Sequence, residues 1–488
     1  MKKNDIRNFL LDLTTNPYSM LLLLSFVLLS CIFNGIMNND EGMWSYIGRI
    51  WVENNMPPYI GAVENKTPGI FVLFAVSHIL FGTNYMFARL LGVTAILLSS
   101  FTVYLIGKKL HTPQAGIFSM TIFGLTMSWH LLDGAAAAHT ETFMVLFSTS
   151  SFYLIIQGKG SRNWKYWVFF AGLSMGLALA FKQIAITTTL ALGIFFLVYD
   201  DSIQTARERM IGLFIVALGM VIATFFTLVP LLVSGVSLKE YVDGAWLILL
   251  NPGSSAEFAR HAEGFLNTWL NTRIVVFYPF FLLLIFERDL LRERCFMGLL
   301  AWMFCDFVGV NLSGHSYGHQ IKQIMPSASL IFGIILGNTV TRRFSESSVT
   351  ARQALALLMI LVVLLLPYKQ WAVNLYKKMT GYTDIKMSLA SFLEKNTGKN
   401  DYIYIAGHDG NPALSCSGRI SSSKYFNTIF VTGDTEKKQL MSDLKARPPL
   451  YFLSPPLIMP ELEIHTADQY ELLPMKTEYA GFYVFKRK

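Results

Sequence analysis

The sequence predicts a polytopic α-helical membrane protein of about eleven spans, followed by a small C-terminal α/β domain. Three observations carry that expectation. Of 488 residues, 53% are hydrophobic and 15% charged, against about 25% charged in soluble domains, and the mean hydropathy is +0.43. Apolar runs of bilayer-crossing length, about 20 residues, recur as far as Trp371. Beyond it the runs shorten and alternate with polar stretches. In such a chain the net charge of +8 belongs to cytoplasmic loops rather than to nucleic-acid binding.

Taken in order, the expected spans lie near 18–37, 85–107, 112–131, 140–157, 165–182, 184–200, 210–234, 272–286, 295–312, 321–340 and 353–371. The first fits an uncleaved span better than a signal peptide, because no small-x-small cleavage site follows it and an acidic loop does. Ile70 to Phe81 is too short to cross and is bounded by Pro68-Gly69 and Gly82, so it is expected to lie at the interface. Charge supports this. With 70–81 at the interface, Lys2, Lys3, Arg7, Lys108, Lys109, Lys159, Arg162, Lys165, Arg207, Arg209, Arg288, Arg292, Arg294, Arg342, Arg343 and Arg352 share one side. The other side keeps only Arg49, Lys66, Lys182, Lys239 and Arg260. A crossing at 70–81 would scramble that asymmetry. The N-terminus is therefore expected in the cytoplasm and the C-terminal domain outside.

The domain expectation is a membrane part over 1–379, with an outer loop carrying interfacial helices at 38–84, and a soluble part over 380–488. In the latter, Tyr402–Ile405, Thr428–Val431, Leu450–Leu453 and Gly481–Phe485 read as strands. Asp384–Lys395 and Thr435–Ala446 read as helices. Cys31, Cys295, Cys305 and Cys416 form neither a disulfide framework nor a zinc spacing. No Walker loop and no dinucleotide fingerprint occurs.

The chemistry-bearing residues collect on the predicted outer face, and ionisable groups at a membrane border are functional candidates by default. Asp40-Glu41 opens a weakly helical stretch running to Asn54; it reads either as a solvated acidic loop or as a base within reach of an acceptor hydroxyl. Glu41 supports Asp40 or raises its pKa through like charge. Lys66, in Glu64-Asn65-Lys66-Thr67-Pro68, and Arg89 either snorkel at the interface or meet a phosphate. In the turn Asp133 to Glu141, Thr140-Glu141 either caps the next helix or serves a site. Lys182 sits between two apolar runs with almost no loop, a costly place unless it faces water or an anion, which favours a functional role. His315, Tyr317, His319 and Lys322 gather at one border, a mixture suited to phosphate or sugar hydroxyls. The i, i+4 histidines also raise metal binding, although Gly318 disfavours a regular helical clamp. Asp306, within a span, reads as a structural partner for a polar or basic group.

As an ordered set over roughly residues 18–340, these residues resemble the membrane glycosyltransferases of the GT-C type, in the group that includes protein O-mannosyltransferases and lipid A aminoarabinose transferases. The motifs are the Asp40-Glu41 pair, Lys66-Thr67-Pro68 before a short helix, Arg89, the acidic turn His139-Thr140-Glu141, Gly176 to Lys182, and the Gly318-His319 turn leading to Pro326. His139 stands where the group has Asn or Pro, and Gln320 where an aromatic is common.

The resemblance implies a GT-C type fold in the cell (inner) membrane and an extra-cytoplasmic C-terminal tail. It also implies a polyprenyl-phosphate sugar donor and a lipid, glycan or protein acceptor. Asp40 would take the acceptor's proton with Glu41 in support, and Lys66, Arg89, Glu141, Lys182, His315, Tyr317, His319 and Lys322 would contact donor and phosphate, with inversion at the sugar. Zinc-using members of the group hold the ion with carboxylates that map in part here, onto Glu64 and Glu141; the sequence thus establishes no cofactor and leaves a divalent metal open. The competing expectation is a transporter or flippase of a lipid-linked glycan, with the same phosphate contacts but no base. Against it stand charged candidates on one face and no internal repeat.

Overall fold

Helices follow the apolar runs. The computed structural model describes residues 16–32, 37–128, 137–199, 205–250, 257–270, 272–275, 284, 287–312, 317–344, 372, 375–377, 379–380, 384–455, 469–474, 476 and 481–488. In chain order these include α1 (Pro17–Ile32), α2 (Asn39–Asn54), α3 (Pro68–Phe81), α4 (Met86–Leu110), α5 (Pro113–Ser128), α6 (Thr140–Gly158), α7 (Trp164–Phe181), α8 (Ala185–Tyr199) and α9 (Ala206–Val233). Then come α10 (Leu238–Ala245), α11 (Glu257–Trp269), α12 (Arg294–Asn311) and α13 (Met325–Phe344). Proline opens α1, α3 and α5, where its missing N–H costs nothing. The expected spans 272–286 and 353–371 lie largely or wholly outside the described residues, as do Asp133 and His315.

Among the described residues, five helices are long and apolar enough to cross a membrane: Met86–Leu110, Trp164–Phe181, Ala206–Val233, Arg294–Asn311 and Gln320–Thr339. On α9, Phe214, Val221, Phe225, Phe226 and Val233 are exposed. So large an apolar surface is a liability in water and is at home in lipid. The chain is a polytopic α-helical membrane protein. By contrast α3 has 14 residues, which at 1.5 Å per residue is about 21 Å, short of the roughly 30 Å hydrocarbon core.

The chain divides into two compact units, one of 1–33, 90–227 and 254–373, the other of 34–89, 228–253 and 374–488. In the first, α6 packs on α7, α5 on α13 and α8 on α12. Hydroxyls fasten α6 to α7: Ser151 Oγ donates to the Ala171 carbonyl and Ser174 Oγ to that of Phe147, each at 2.7 Å. Gly172 and Gly176 bring α7 against the backbone of α9 at Val216 and Met220, where a Cβ would collide. Small residues four apart are how helices approach closely in lipid.

In the second unit α2 packs on α3, and the C-terminal segment forms α14 (Ile385–Asn396), α15 (Asn411–Cys416) and α16 (Asp434–Ala446) around a sheet of β1 (Tyr402–Ile405), β2 (Ile420–Ser421), β3 (Tyr451–Ser454), β4 (Tyr470–Leu472) and β5 (Tyr483–Arg487). The strand order is β2-β1-β3-β5-β4, parallel across β2-β1-β3 and antiparallel beyond. Tyr404, Ala406, Val431, Leu440, Phe452 and Tyr470 form its core. Thr428–Val431, expected as a strand, is instead a 3-10 turn over Thr428–Phe430. Its apolar residues promise a strand, but Asn427 Oδ1 accepts the Ile429 N–H at 3.3 Å and turns the backbone.

Candidate active site

The Asp40-Glu41-Gly42 sequence opens α2, and its three residues do three different things. Asn38 caps the helix: its side chain accepts the Asp40 N–H at 2.9 Å, while Glu41 reaches back to the Asn38 N–H at 3.0 Å. This is a capping box. The same Glu41 carboxylate receives the Arg89 guanidinium, with Nη2–Oε2 at 2.6 Å and Nε–Oε1 at 2.9 Å, and neither side chain is exposed. Arg89 lies in the first turn of α4. A bidentate pair of this kind fixes the geometry of both partners. Asp40, one residue earlier, stays partly open to solvent with 22% of its side chain exposed.

Gly42 faces the C-terminal segment. A Cβ there would lie 2.5 Å from Pro412 N and 2.7 Å from the Asn411 carbonyl carbon. Ser45, Tyr46 and Arg49 continue the same helical face. Ser415 Oγ donates to Ser45 Oγ at 2.9 Å, the Ser421 N–H to Tyr46 Oη at 2.9 Å, and Arg49 Nη2 to the Arg419 carbonyl at 2.5 Å. His408, just past β1, lies beside Asp40, with Nε2–Oδ1 at 3.3 Å.

The Lys66 turn is built from buried parts. Tyr59, at φ 70°, donates its hydroxyl to the Lys66 carbonyl at 2.6 Å and meets the rings of Phe71 and Tyr241 edge-on. Lys66 Nζ donates to Asn65 Oδ1 at 2.5 Å and to Glu64 Oε1 at 3.3 Å. Burial raises the Glu64 carboxyl above its usual range; the Lys66 charge pulls it back in part, and the nearby Asp40 adds to the rise.

The first unit holds a second cluster. The α7 helix ends at Lys182, whose N–H still bonds the Ala178 carbonyl while its backbone turns extended. Its ammonium donates to Glu141 in the first turn of α6, and Thr140 Oγ1 donates to the other Glu141 oxygen at 2.9 Å. His319 Nε2 lies 3.6 Å from Glu141, and its ring stacks on that of His139 with centroids 4.8 Å apart. Lys322, fully buried, donates to Thr142 Oγ1 at 3.0 Å and lies 3.3 Å from His139 Nδ1. Tyr317 stacks on His319 and is exposed. Lys182, His319 and His139 gather about the Glu141 carboxylate, and Lys322 stands against His139. Near by, Asp306 accepts from Thr188 Oγ1 at 2.6 Å and Gln323 Nε2 at 3.2 Å, the polar partnership expected for it.

The family model of dolichyl-phosphate-mannose-protein mannosyltransferases matches residues 65–229. No curated protein matches the sequence. Two crystal structures of ArnT from Cupriavidus metallidurans, one bound to undecaprenyl phosphate and one in the apo state, superpose with TM-scores of 0.63 and 0.64 at 13% identity, covering 96% of this chain and 97% of theirs. The archaeal oligosaccharyltransferase AglB from Archaeoglobus fulgidus, in complex with an inhibitory peptide and a dolichol-phosphate, superposes with a TM-score of 0.53 at 11% identity, over 93% of this chain and 70% of that one. The fold is of the GT-C type.

Within this GT-C framework, the expected site residues fall into two groups. Asp40, Glu41, Glu64, Lys66 and Arg89 lie in the second unit, and Glu141, Lys182, Tyr317, His319 and Lys322 in the first. Of the expected metal ligands, Glu64 holds Lys66 and Glu141 holds Lys182. His139 and His319 offer ring nitrogens within 4.8 Å of one another, donors that a zinc-class ion accepts. The Lys182 and Lys322 ammonium groups belong to the same cluster, and a divalent metal remains open. Sequence reasoning missed His408, Asn411 and Asn427. Their only signal is a polar turn some 370 residues from Asp40, Asn39 pairing with Asp409 at the same separation.

Proposed function

We propose that this chain is an integral-membrane glycosyltransferase that moves a sugar from a polyprenyl-phosphate-linked donor to an acceptor at the outer face of the membrane, with inversion. One observation carries the proposal: in a GT-C fold, Asp40 is a partly exposed carboxylate at a capped helix start, while Glu41 beside it is engaged by Arg89. A base must reach the proton that it takes, and of the two only Asp40 does. The acceptor O–H gives its proton to Asp40, the oxygen attacks C1 of the sugar, and the C1–O bond to phosphate breaks. Polyprenyl phosphate leaves with the electron pair.

Charge develops on that leaving phosphate, and preorganised cations at such a position lower the barrier. Lys182, His319 and Lys322, with Tyr317, take this role in our reading, and Lys66 assists. Glu141 holds Lys182 in place, and Glu41 with Arg89 holds the start of α2. The similar ArnT and AglB structures contain undecaprenyl phosphate and dolichol-phosphate, which supports the donor class. Eleven spans, a cytoplasmic N-terminus and an outer C-terminal domain fit the distribution of basic residues.

The test is turnover in liposomes supplied with undecaprenyl-phosphate-linked hexoses and pentoses plus envelope lipids and glycans as acceptors, read as released undecaprenyl phosphate. Asp40→Asn is expected to lose roughly 10²–10⁴-fold in rate with an unchanged melting temperature. Full activity in Asp40→Asn overturns the assignment of the base, and movement of intact donor across the bilayer without cleavage overturns the transferase.

A further inference from the structure

His408 is presented to Asp40 with its ring polarity fixed by buried amides. Asn427 is fully buried, and its Oδ1 accepts the Ile429 N–H at 3.3 Å. That contact orients the amide, so Asn427 Nδ2 faces His408 Nδ1, at 3.1 Å. Asn411, also buried, brings its own Nδ2 to the same ring nitrogen at 3.2 Å. An amide nitrogen only donates, so Nδ1 must be the accepting nitrogen and the neutral ring carries its proton on Nε2. Which nitrogen of a histidine is protonated follows from the hydrogen bond that the other makes. Nε2 is the atom 3.3 Å from Asp40 Oδ1.

We infer that His408 is a positioning residue for the transfer reaction: the C-terminal domain supplies an Nε2–H that binds the Asp40 carboxylate, holding it oriented for proton abstraction. This rests on the reading of Asp40 as the base. A histidine so polarised cannot relay Asp40's proton, because its accepting nitrogen faces the two amides. Its effect is therefore on the placement of the carboxylate. Several features converge on that placement. Gly42 admits the backbone of Asn411 and Pro412 against α2, Asn39 Nδ2 bonds Asp409 Oδ1 at 2.6 Å, and Lys386 Nζ bonds Asn39 Oδ1 at 2.5 Å. The residues on either side of the His408–Asp40 contact are thus fastened independently of it, so the contact is not what attaches the domain to α2.

The test compares His408→Leu, His408→Gln and Ser415→Ala in the full-length protein, with the same liposomes and undecaprenyl-phosphate sugars. Loss of a hydrogen bond to a charged group predicts that His408→Leu lowers kcat on the order of ten- to a hundredfold while KM stays within about twofold. His408→Gln, whose Nε2 donor falls close to that of the ring, recovers most of the rate. Ser415→Ala removes a docking contact away from Asp40 and leaves kcat unchanged. Wild-type kcat in His408→Leu, with Asp40→Asn inactive, overturns this inference alone; activity in Asp40→Asn overturns the base assignment as well. A second measurement needs no turnover. Ring ¹⁵N spectra of histidine-labelled protein, with the His408 signal identified by its loss in His408→Gln, are expected to show the Nε2–H tautomer, and a proton on Nδ1 overturns the assignment.

Discussion

Glu41 and Arg89, 48 residues apart in sequence, meet as a bidentate ion pair in which neither side chain is exposed. The pair joins the first turn of α2 to the first turn of α4, and Glu41 simultaneously closes the capping box on Asn38. Two jobs on one carboxylate make it the anchor of the Asp40 segment. Glu41→Gln leaves the Arg89 charge buried without its counter-charge, which typically costs about 3–5 kcal/mol. The expected outcome is a melting temperature several degrees lower in detergent, with much of the loss recovered by Glu41→Gln combined with Arg89→Met. An unchanged melting temperature in the single variant would refute the anchoring role.

Gly42→Ala tests the seam between α2 and the C-terminal domain. The added methyl meets Pro412 N and the Asn411 carbonyl carbon, backbone atoms that cannot rotate away. Overpacking of this kind costs about 1–3 kcal/mol. The variant is expected to melt earlier and to release the C-terminal domain faster under limited proteolysis. Proteolysis at the wild-type rate would show that the seam yields easily.

The helices were legible because lipid imposes a simple length and composition code: α4, α7, α9, α12 and α13 coincide with apolar runs. The 14 residues of α3 likewise match an apolar run that is too short to cross the hydrocarbon core. The seam was not legible. Gly42, Ser45, Tyr46 and Arg49 share one face of α2, but such a polar face looks the same whether water or another segment covers it. Its partners, Pro412, Ser415, Ser421 and Arg419, lie some 370 residues away. Glu41 and Arg89 were both visible as charges, yet their pairing was hidden for the same reason. Lys182 and Glu141 stood out singly because a charge bordering an apolar run is costly, whereas His408, in a polar turn, carried no such mark.

Glu64 makes a prediction about pH. Burial holds its carboxyl above the ordinary value of 4.5, with Lys66 opposing and Asp40 reinforcing. The folded state therefore binds this proton more tightly than the unfolded chain does. The stability it contributes is full below pH 4.5 and is lost as pH rises through the raised folded value. Glu64→Gln, which cannot ionise, should flatten that limb of a stability-versus-pH curve in the mildly acidic range. A curve of unchanged slope in Glu64→Gln would mean that the carboxyl titrates as it does in the unfolded chain.

Lys182 and Glu141 separate stability from catalysis. Each is buried, and the Lys182 ammonium donates directly to the Glu141 carboxylate. Lys182→Met strands the carboxylate, although His319 at 3.6 Å offers partial compensation when protonated. Glu141→Gln strands the ammonium in turn. Lys182→Met with Glu141→Gln removes both charges, so a thermal-unfolding cycle should show coupling of about 0.5–3 kcal/mol, the range for residues in contact. Transfer activity should behave differently. If Lys182 stabilises the leaving phosphate, the double variant regains stability while its turnover stays as low as that of Lys182→Met. Recovery of both properties together would reduce Lys182 to a structural partner of Glu141 and leave the phosphate to His319 and Lys322.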